Sequence, residues 1–466
     1  MGSVEVPAGA YYGAQTQRAV DNFSISPWRF GRRFIAALGL IKWAAAKANL
    51  RLGLLDAELA GAIGEAADEV VAGQLDDHFP LDVFQTGSGT STNMNANEVI
   101  ASRANEILGF GIGSKKPVHP NDHVNLCQSS NDVIPTATHL SALLAIDDVL
   151  MPALSRLQRS LEAKAAEFAG TVKSGRTHLM DAMPVTLGQE LSGYAAQVEH
   201  SMAAVETARS HLSELALGGT AVGTGINADP AFARTAIALL SERTGITLVE
   251  APNHFEAQSA RDAAVGMSGA VKQVAVALAR IANDLRWLAS GPASGLAEIR
   301  LPALQPGSSI MPGKVNPVVP EAVIQASAQV IGNDVAITLG GLGGIFELNT
   351  MMPLIAHNLL FNIEVLGPAA GLLASKCVDG IEADAERCAA LLEGSPVLVT
   401  ALVPAIGYDA AAAVAKEAAA SGKSIRQVVV EMGLMEQAQA DEALDVLAMT
   451  GGGMPSDPTN ARGGNR

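Results

Sequence analysis

Long stretches with an apolar residue at every third or fourth position constrain the fold of this chain more than any other feature. Between residues 138 and 169 the only helix breaker is Pro152, and leucines recur at the spacing of one helical face. Comparable stretches cover residues 187–217, 257–290 and 320–339. A helix of roughly 30 residues is about 45 Å long, so the pattern predicts rods that bury their length in a bundle.

Composition favours the same architecture. Of the 466 residues, 48% are hydrophobic, 17% are charged and 4% are aromatic, which suits closely packed helices better than a β-sandwich. We therefore predict an all-α fold of three domains: an N-terminal α domain (1–128), a central bundle of long helices (129–385) and a small C-terminal helical domain with a disordered tail (386–466). Apolar helix faces that the bundle of one chain leaves exposed would form the core of a tetramer.

Charge and cysteine content exclude several classes of protein. The formal net charge of −16 argues against nucleic acid or an anionic membrane as a partner. Cys127, Cys377 and Cys388 have no CxxC spacing, so we expect neither a disulfide framework nor a zinc site, but a reducing cytoplasm. The N-terminus does not resemble a signal peptide, and the longest uncharged run, 348–363, is too short and interrupted to predict a membrane segment.

The segment 307–317 carries the densest group of reactive side chains. Prolines keep it out of regular helix, and glycines allow it to hinge. It holds the hydroxyls of Ser308 and Ser309, the ammonium of Lys314 and the carboxamide of Asn316. The sequence predicts a mobile loop that can close over an anion.

Three further polar segments are open to more than one interpretation. Residues 86–95 could surround an anion with hydroxyls and backbone N–H groups, or form a polar turn before a capped helix. His119 and His123 have the spacing of two metal ligands on a helix, but Pro120 lies between them and no third ligand is evident. A lone histidine beside a helix start, such as His178, is more often structural than catalytic.

The polar groups suit a base-assisted elimination. Neither Ser88 nor Ser308 lies in the Gly-x-Ser-x-Gly motif of serine hydrolases. Removing a proton beside a carboxylate places a second negative charge on that carboxylate, so the site must supply positive or hydrogen-bonding groups there. Lys314 and Asn316 are suited to that task.

The form Gly-Ser-Ser-x-Met-Pro-x-Lys-x-Asn-Pro at residues 307–317 resembles the loop shared by the fumarase/aspartase superfamily. The resemblance extends over nearly the whole chain, from residues 4–7 and 13–18 to the C-terminal helices. It implies a fumarase/aspartase-like fold, a small dicarboxylate substrate and no metal or organic cofactor. It also implies a homotetramer in which each active site draws on three subunits.

The resemblance also implies roles for individual residues. Ser308 would be the catalytic base, and His178, paired with Glu321, would activate water or hold the far carboxylate of the substrate. The substrate-binding residues would be Ser88, Gly89, Thr90, Ser129, Ser130, Asn131, Thr177, Ser309, Lys314 and Asn316. A second dicarboxylate site would use His119, Asn121 and Asp122.

Several positions distinguish members of the superfamily. Residues 85–90, 129–132 and 252–257 and Gly313 resemble class II fumarases, while residues 317–321 are closer to aspartases. We therefore expect reversible hydration of fumarate to (S)-malate, with aspartate ammonia-lyase as the alternative. A third possibility is a catalytically silent scaffold like some related lens proteins, but such a protein would not need the intact polar groups.

Overall fold

The chain folds mainly into α-helices. The computed structural model describes residues 2–452. Within them the α-helices are α1 Ala14–Asn22, α2 Arg32–Arg51, α3 Ala57–Val71, α4 Thr90–Ile107, α5 Ser130–Ala145, α6 Met151–Glu167, α7 Leu187–Leu212, α8 Phe232–Thr244, α9 His254–Ser259, α10 Asp262–Leu288, α11 Val318–Gly341, α12 Met352–Lys376, α13 Ala385–Glu393, α14 Val403–Ile406, α15 Tyr408–Ser421, α16 Ile425–Glu431, α17 Gln437–Ala443 and α18 Val446–Met449.

Short strands supplement the helices. In the described part of the chain they are β1 Val172–Thr177, β2 Met180–Thr186, β3 Glu214–Leu215, β4 Val249–Glu250, β5 Ile299–Arg300, β6 Gly344–Ile345, β7 Leu348–Asn349 and β8 Glu382–Ala383. They pair as β1–β2, β3–β4, β5–β8 and β6–β7, and only β3–β4 is parallel. None forms a larger layer, so the all-α prediction is confirmed with these two-stranded additions.

The predicted rods correspond to observed helices. The stretch 138–169 is covered by α5 and α6, which are joined through one π-helical turn, Ile146–Leu150. The stretch 257–290 is interrupted where Ala260 takes an extended conformation after α9, and α10 then begins at Asp262. Near the C-terminus, Gly422 ends α15 in the left-handed region and the side chain of Ser424 caps α16.

The chain divides into two compact units. Unit 1 comprises residues up to 152, 201–276 and 326–368. In it α2 packs against α3, α5 and α8, and α3 packs against α4. Its core includes the fully buried Phe34 and Ile63. This packing fixes the start of α4 and the start of α5 relative to each other.

Unit 2 comprises residues 153–200, 277–325 and those from 369 onward. Here the β1–β2 hairpin packs against α13 and α18. A small core around Leu402, Val414 and Val429 joins the C-terminal helices, and Val172 at the start of β1 packs against it. The C-terminal helices therefore support the hairpin.

The predicted division into three domains stays a prediction, because the limits of the two units fall within α6, α7, α10, α11 and α12. The predicted disordered tail lies outside the described residues from position 453 onward.

Two helices among the described residues are long and apolar enough to cross a membrane by length and composition alone, Asp262–Leu288 and Met352–Gly380. The second span includes the 3₁₀ turn after α12. In the most apolar window of each, 56% and 61% of the residues are buried within the protein. The absence of a membrane partner stays a prediction.

Candidate active site

A cluster of three hydroxyls lies in unit 1, where the starts of α4 and α5 meet. Thr90 Oγ1 is 2.7 Å from Ser88 Oγ and 2.7 Å from Ser130 Oγ. Thr90 and Ser130 are 40 residues apart in the sequence. The structure thus brings together three of the predicted substrate-binding residues.

Glycine is required beside this cluster. Gly89, the N-cap of α4, has φ 69°, which lies in the left-handed region, and a Cβ there would be 2.9 Å from Ile134. A Cβ on Gly87 would be 2.0 Å from the carbonyl oxygen of Thr350. Glycine at these two positions therefore allows the backbone path that places Ser88 and Thr90 in the cluster.

The start of α5 orients Ser129, Ser130 and Asn131. Ser129 and Asp132 form a capping box, in which Asp132 Oδ1 accepts from Ser129 N at 2.9 Å. Asn131 Nδ2 donates to the Ala221 carbonyl at 2.7 Å. The predicted set therefore sits at a helix N-terminus, where backbone N–H groups favour an anion.

Two residues of the predicted second dicarboxylate site, Asn121 and Asp122, lie on one π-helical turn, Pro120–Val124, and the third, His119, is its N-cap. His119 Nδ1 accepts from Asp122 N at 3.2 Å, and Asn121 and Asp122 are exposed. His123 Nδ1 accepts from the backbone N–H of His119 at 2.9 Å. A local hydrogen bond thus accounts for the spacing of the two histidines.

His178 lies at the tip of the β1–β2 hairpin in unit 2. Thr177 pairs with Met180, so His178 and Leu179 form the two-residue turn. Both have left-handed backbone angles, φ 57° and φ 60°, and both side chains are exposed. This conformation is costly without glycine and is often found at functional sites. The sequence predicted a position beside a helix start; instead the chain reverses before α7.

A buried charge cluster anchors this hairpin. Arg176 Nη1 and Nη2 donate to the two Glu298 oxygens at 2.9 and 2.8 Å, and Glu298 is fully buried. Lys173 Nζ lies 3.3 Å from Glu298 and 3.2 Å from Glu190. Hydrogen bonding to Glu298 raises the pKa of Arg176, whereas burial raises the pKa of Glu190. Sequence reasoning missed this cluster.

Hydrogen bonds join the two ends of the loop 307–317 to form a neck, whereas the residues at its tip, 309–314, are exposed. Gly307 N donates to the Lys314 carbonyl at 2.7 Å, and Asn316 Nδ2 donates to the Gly307 carbonyl at 2.8 Å. Ser308 Oγ accepts from Ile310 N and Met311 N. Ser309 and Lys314 are exposed, and the Lys314 ammonium makes no hydrogen bond or ion pair with residues 2–452. The loop therefore carries an exposed ammonium group and two hydroxyls in the same short segment.

The predicted pairing of His178 with Glu321 stays a prediction. Glu321 lies in the first turn of α11, and no hydrogen bond or ion pair joins it to His178 within the described protomer. Of the other predicted residues of unit 2, Thr177 precedes His178 in the hairpin. Asn316 lies at the neck of the loop 307–317.

Comparisons with known proteins identify the family. A protein-family model described as Lyase matches residues 2–332, and one described as Fumarase C C-terminus matches residues 398–451. The fumarate hydratase class II of Halobacterium salinarum is 56% identical over 456 residues, which cover 98% of this chain and 97% of that protein. The chain belongs to the class II fumarase family.

Two further relatives agree. The fumarate hydratase class II of Mycobacterium tuberculosis is 55% identical over 456 residues, covering 96% of this chain and 94% of that protein. The crystal structure of the class II fumarase from Schistosoma mansoni matches with a TM-score of 0.94 and 39% identity, covering 97% of this chain and 98% of its own. The resemblance inferred from residues 307–317 is thereby confirmed, and the chain is a lyase with the class II fumarase fold.

Proposed function

We propose that this chain adds water reversibly to fumarate to give (S)-malate, the hydration step of the tricarboxylic acid cycle. The observation that carries the proposal is the loop 307–317, whose hydrogen-bonded neck holds Ser308 and the exposed ammonium of Lys314, unpaired among residues 2–452. The 56% identical fumarate hydratase of Halobacterium salinarum supports the substrate and the reaction.

In the direction from malate, Ser308 takes the proton from the carbon next to one carboxylate. The electron pair of the broken C–H bond moves into that carboxylate, which then carries a second negative charge. The intermediate next expels the hydroxyl of the neighbouring carbon, which leaves as water after His178, with Glu321, has supplied a proton. Hydration is the reverse sequence.

Stabilising the doubly charged carboxylate is the central electrostatic task. We assign it to Lys314, Asn316 and Ser309 of the loop, which supply one positive charge and neutral donors. Fixed donors in a site from which water is excluded stabilise such charge better than water does.

The remaining polar residues would hold the substrate. The hydroxyl cluster around Thr90 and the start of α5 present neutral donors suited to carboxylate oxygens. Thr177 would bind beside His178. The turn that carries His119, Asn121 and Asp122 would form the second dicarboxylate site. Under this proposal neither a metal ion nor an organic cofactor takes part.

We propose a homotetramer with active sites shared between subunits. The exposed side of α11 supports this proposal, since Ile331, Val335 and Leu339 recur at every fourth position and are 37%, 58% and 58% exposed. Within α11 the charged residues are Glu321 and Asp334, and Asp334 is buried. An uncharged apolar helix face of this length favours burial against another subunit.

We also propose a cytoplasmic location. The three cysteines are unpaired and buried, which suits a reducing compartment.

The ultraviolet absorbance of fumarate tests the reaction directly. The purified full chain should produce fumarate from malate. In the reverse direction it should consume fumarate with water as the only other substrate. Aspartate should give no fumarate under the same conditions. Release of fumarate from aspartate but not from malate would overturn the proposal in favour of aspartate ammonia-lyase, the alternative that residues 317–321 favour. No activity with either would indicate a silent scaffold.

A further inference from the structure

A lysine is buried beneath the start of α5. Lys42, on α2 of unit 1, is 0% exposed. Its ammonium donates to Asn125 Oδ1 at 3.0 Å and to Gln128 Oε1 at 2.9 Å. No carboxylate among residues 2–452 forms an ion pair with it. A buried ammonium held only by amide oxygens is costly, so it calls for a reason beyond core packing.

Both acceptors belong to one tight turn. Asn125 Oδ1 also accepts from Asn93 and Asn97 of α4, each at 3.1 Å. Asn125 Nδ2 donates to the Gln128 carbonyl at 3.0 Å, and Gln128 Nε2 donates to the Val124 carbonyl at 3.1 Å. Lys42 therefore ties α2 to a turn whose two ends are already linked to each other.

This turn is strained between the two contacts. Cys127 has φ 63°, in the left-handed region, where a side chain costs roughly 1–2 kcal/mol. Lys42 holds the residues on either side, Asn125 and Gln128, and the next residue is Ser129, the N-cap of α5. The two hydrogen bonds from Lys42 thus stabilise the turn conformation that places Ser129, Ser130 and Asn131 at the start of α5.

We propose that Lys42 is a positioning residue for substrate binding. It holds the turn 125–128 against α2, so that the Ser129, Ser130 and Asn131 donors face the substrate carboxylate, and it adds a positive charge behind them. The inference rests on the substrate-binding role proposed above for those three residues. It predicts weaker substrate binding without Lys42 and a smaller effect on the proton transfers.

The charge of Lys42 depends on pH in the physiological range. Burial lowers its pKa to about 7, an effect that the carboxylate of Asp132 on α5 partly opposes. Burial raises the pKa of Asp132 to about 6, although three backbone N–H groups stabilise its charge. The groups that contact the ammonium directly are neutral amides. The parent enzyme should therefore bind fumarate less tightly as pH rises above about 7.

The test compares Lys42→Met with Lys47→Met, a half-buried lysine on the same helix that makes no contact with the turn. Losing the charge-assisted hydrogen bonds should raise the KM for fumarate about tenfold. The change in kcat should stay within about threefold, because Ser308 and His178 are untouched. Lys47→Met should match the parent. KM should increase with pH above about 7 in the parent and not in Lys42→Met.

A second variant covers the case in which Lys42→Met does not fold. Lys42→Gln keeps two N–H donors for the amide oxygens but has no charge, so it should lose the pH dependence of KM and show a smaller rise at pH 7. An unchanged KM in either folded variant would overturn the inference, and so would a loss of kcat at constant KM.

A parallel variant, Ser130→Ala, separates this inference from the proposed site. If Ser130→Ala raises KM while Lys42→Met does not, only the role of Lys42 fails. If neither variant changes KM, the proposed substrate-binding role of the start of α5 fails.

Discussion

Arg176 and Glu298 form a two-point ion pair inside unit 2, at 2.9 and 2.8 Å, although they are 122 residues apart in the sequence. Glu298 is fully buried, and the ammonium of Lys173 lies 3.3 Å from it. Thr177 and His178 directly follow Arg176. The position of the proposed catalytic histidine therefore depends on a carboxylate that is fully buried.

Glu298→Gln should strongly destabilise the protein and lower its activity. The substitution leaves the buried Lys173 and the partly buried Arg176 without their shared anion, and breaking a buried pair from one side costs about 3–5 kcal/mol. Because the His178 turn loses its anchor, kcat should fall in the folded fraction as well. Thermal unfolding and steady-state rates measured on the same sample check both effects.

Glu382→Gln is the matched control. Glu382 pairs with Arg300 at 3.4 Å, but the two side chains are 73% and 61% exposed, so the loss should be below about 1 kcal/mol. Equal destabilisation by the two substitutions would contradict the anchoring role of Glu298.

Gly89→Ala should weaken substrate binding by moving the hydroxyl cluster. The added methyl group meets Ile134 at 2.9 Å, and φ 69° is unfavourable for alanine. Together these effects should cost about 1–3 kcal/mol of stability. Since Thr90 follows directly, the KM for fumarate should rise. Unfolding in urea and initial rates over a range of fumarate concentrations measure the two changes.

Gly61→Ala provides the comparison for Gly89→Ala. Gly61 is exposed within α3, and a Cβ there has no atom within 4 Å. Alanine in a helix interior should stabilise the protein by about 0.5–1 kcal/mol and leave KM unchanged. A parallel loss of stability at both positions would show that the left-handed turn at Gly89 is not the cause.

Ser308→Ala should abolish most activity without affecting the fold. The Ser308 hydroxyl accepts from two backbone N–H groups of an exposed loop, so its removal exposes no buried partner. Loss of a catalytic base typically lowers kcat by about 10²–10⁴. The thermal midpoint should stay at the parent value. A variant with the parent kcat would show that another group removes the proton.

The sequence predicts the helices well because their periodicity is a local property. The rods over 138–169 and 320–339 follow from apolar spacing, and the cap at Ser424 follows from side chains a few residues apart. The loop 307–317 was found in the same way, since its prolines, glycines and polar groups are contiguous.

The ion pair and the hydrogen bonds that hold the site residues in place could not be predicted, because they join residues that are far apart in the sequence. Nothing near Arg176 indicates Glu298, and nothing near Lys42 indicates that its ammonium meets a turn more than 80 residues later. The hairpin at His178 was missed for another reason. Two-residue turns usually carry Gly or Asn, and here the residues are His and Leu.

The contribution of Lys42 to the stability of the fold should depend on pH. In the folded protein its pKa is about 7, against 10.5 in a free side chain, because it is buried. Between these values the unfolded chain holds a proton that the folded chain lacks, so the stability of the folded protein rises as pH increases from about 7 towards 10.5 and is constant below about 7. Relative to Lys42→Met, the parent should gain up to about 1.4 kcal/mol per pH unit above pH 7.

Urea unfolding of both proteins at several pH values between 7 and 9 measures that difference. Asp132 has mostly released its proton in this range, since its pKa is about 6. A difference between parent and variant that stays constant with pH would contradict the burial of an ionisable group at position 42.

Val335→Glu should disrupt the proposed tetramer while leaving the protomer folded. Val335 is 58% exposed in the protomer, so a carboxylate there can be hydrated and the stability of the protomer should change little. Between subunits, however, the same charge would be buried opposite an apolar face without a partner, which costs several kcal/mol. Light scattering should show smaller species than in the parent, and kcat should fall because each proposed site needs neighbouring subunits. Leu54→Glu, at a side chain 45% exposed in a turn after α2, should change neither. Dissociation with full retention of activity would mean that the tetramer forms but that a single protomer holds the whole site.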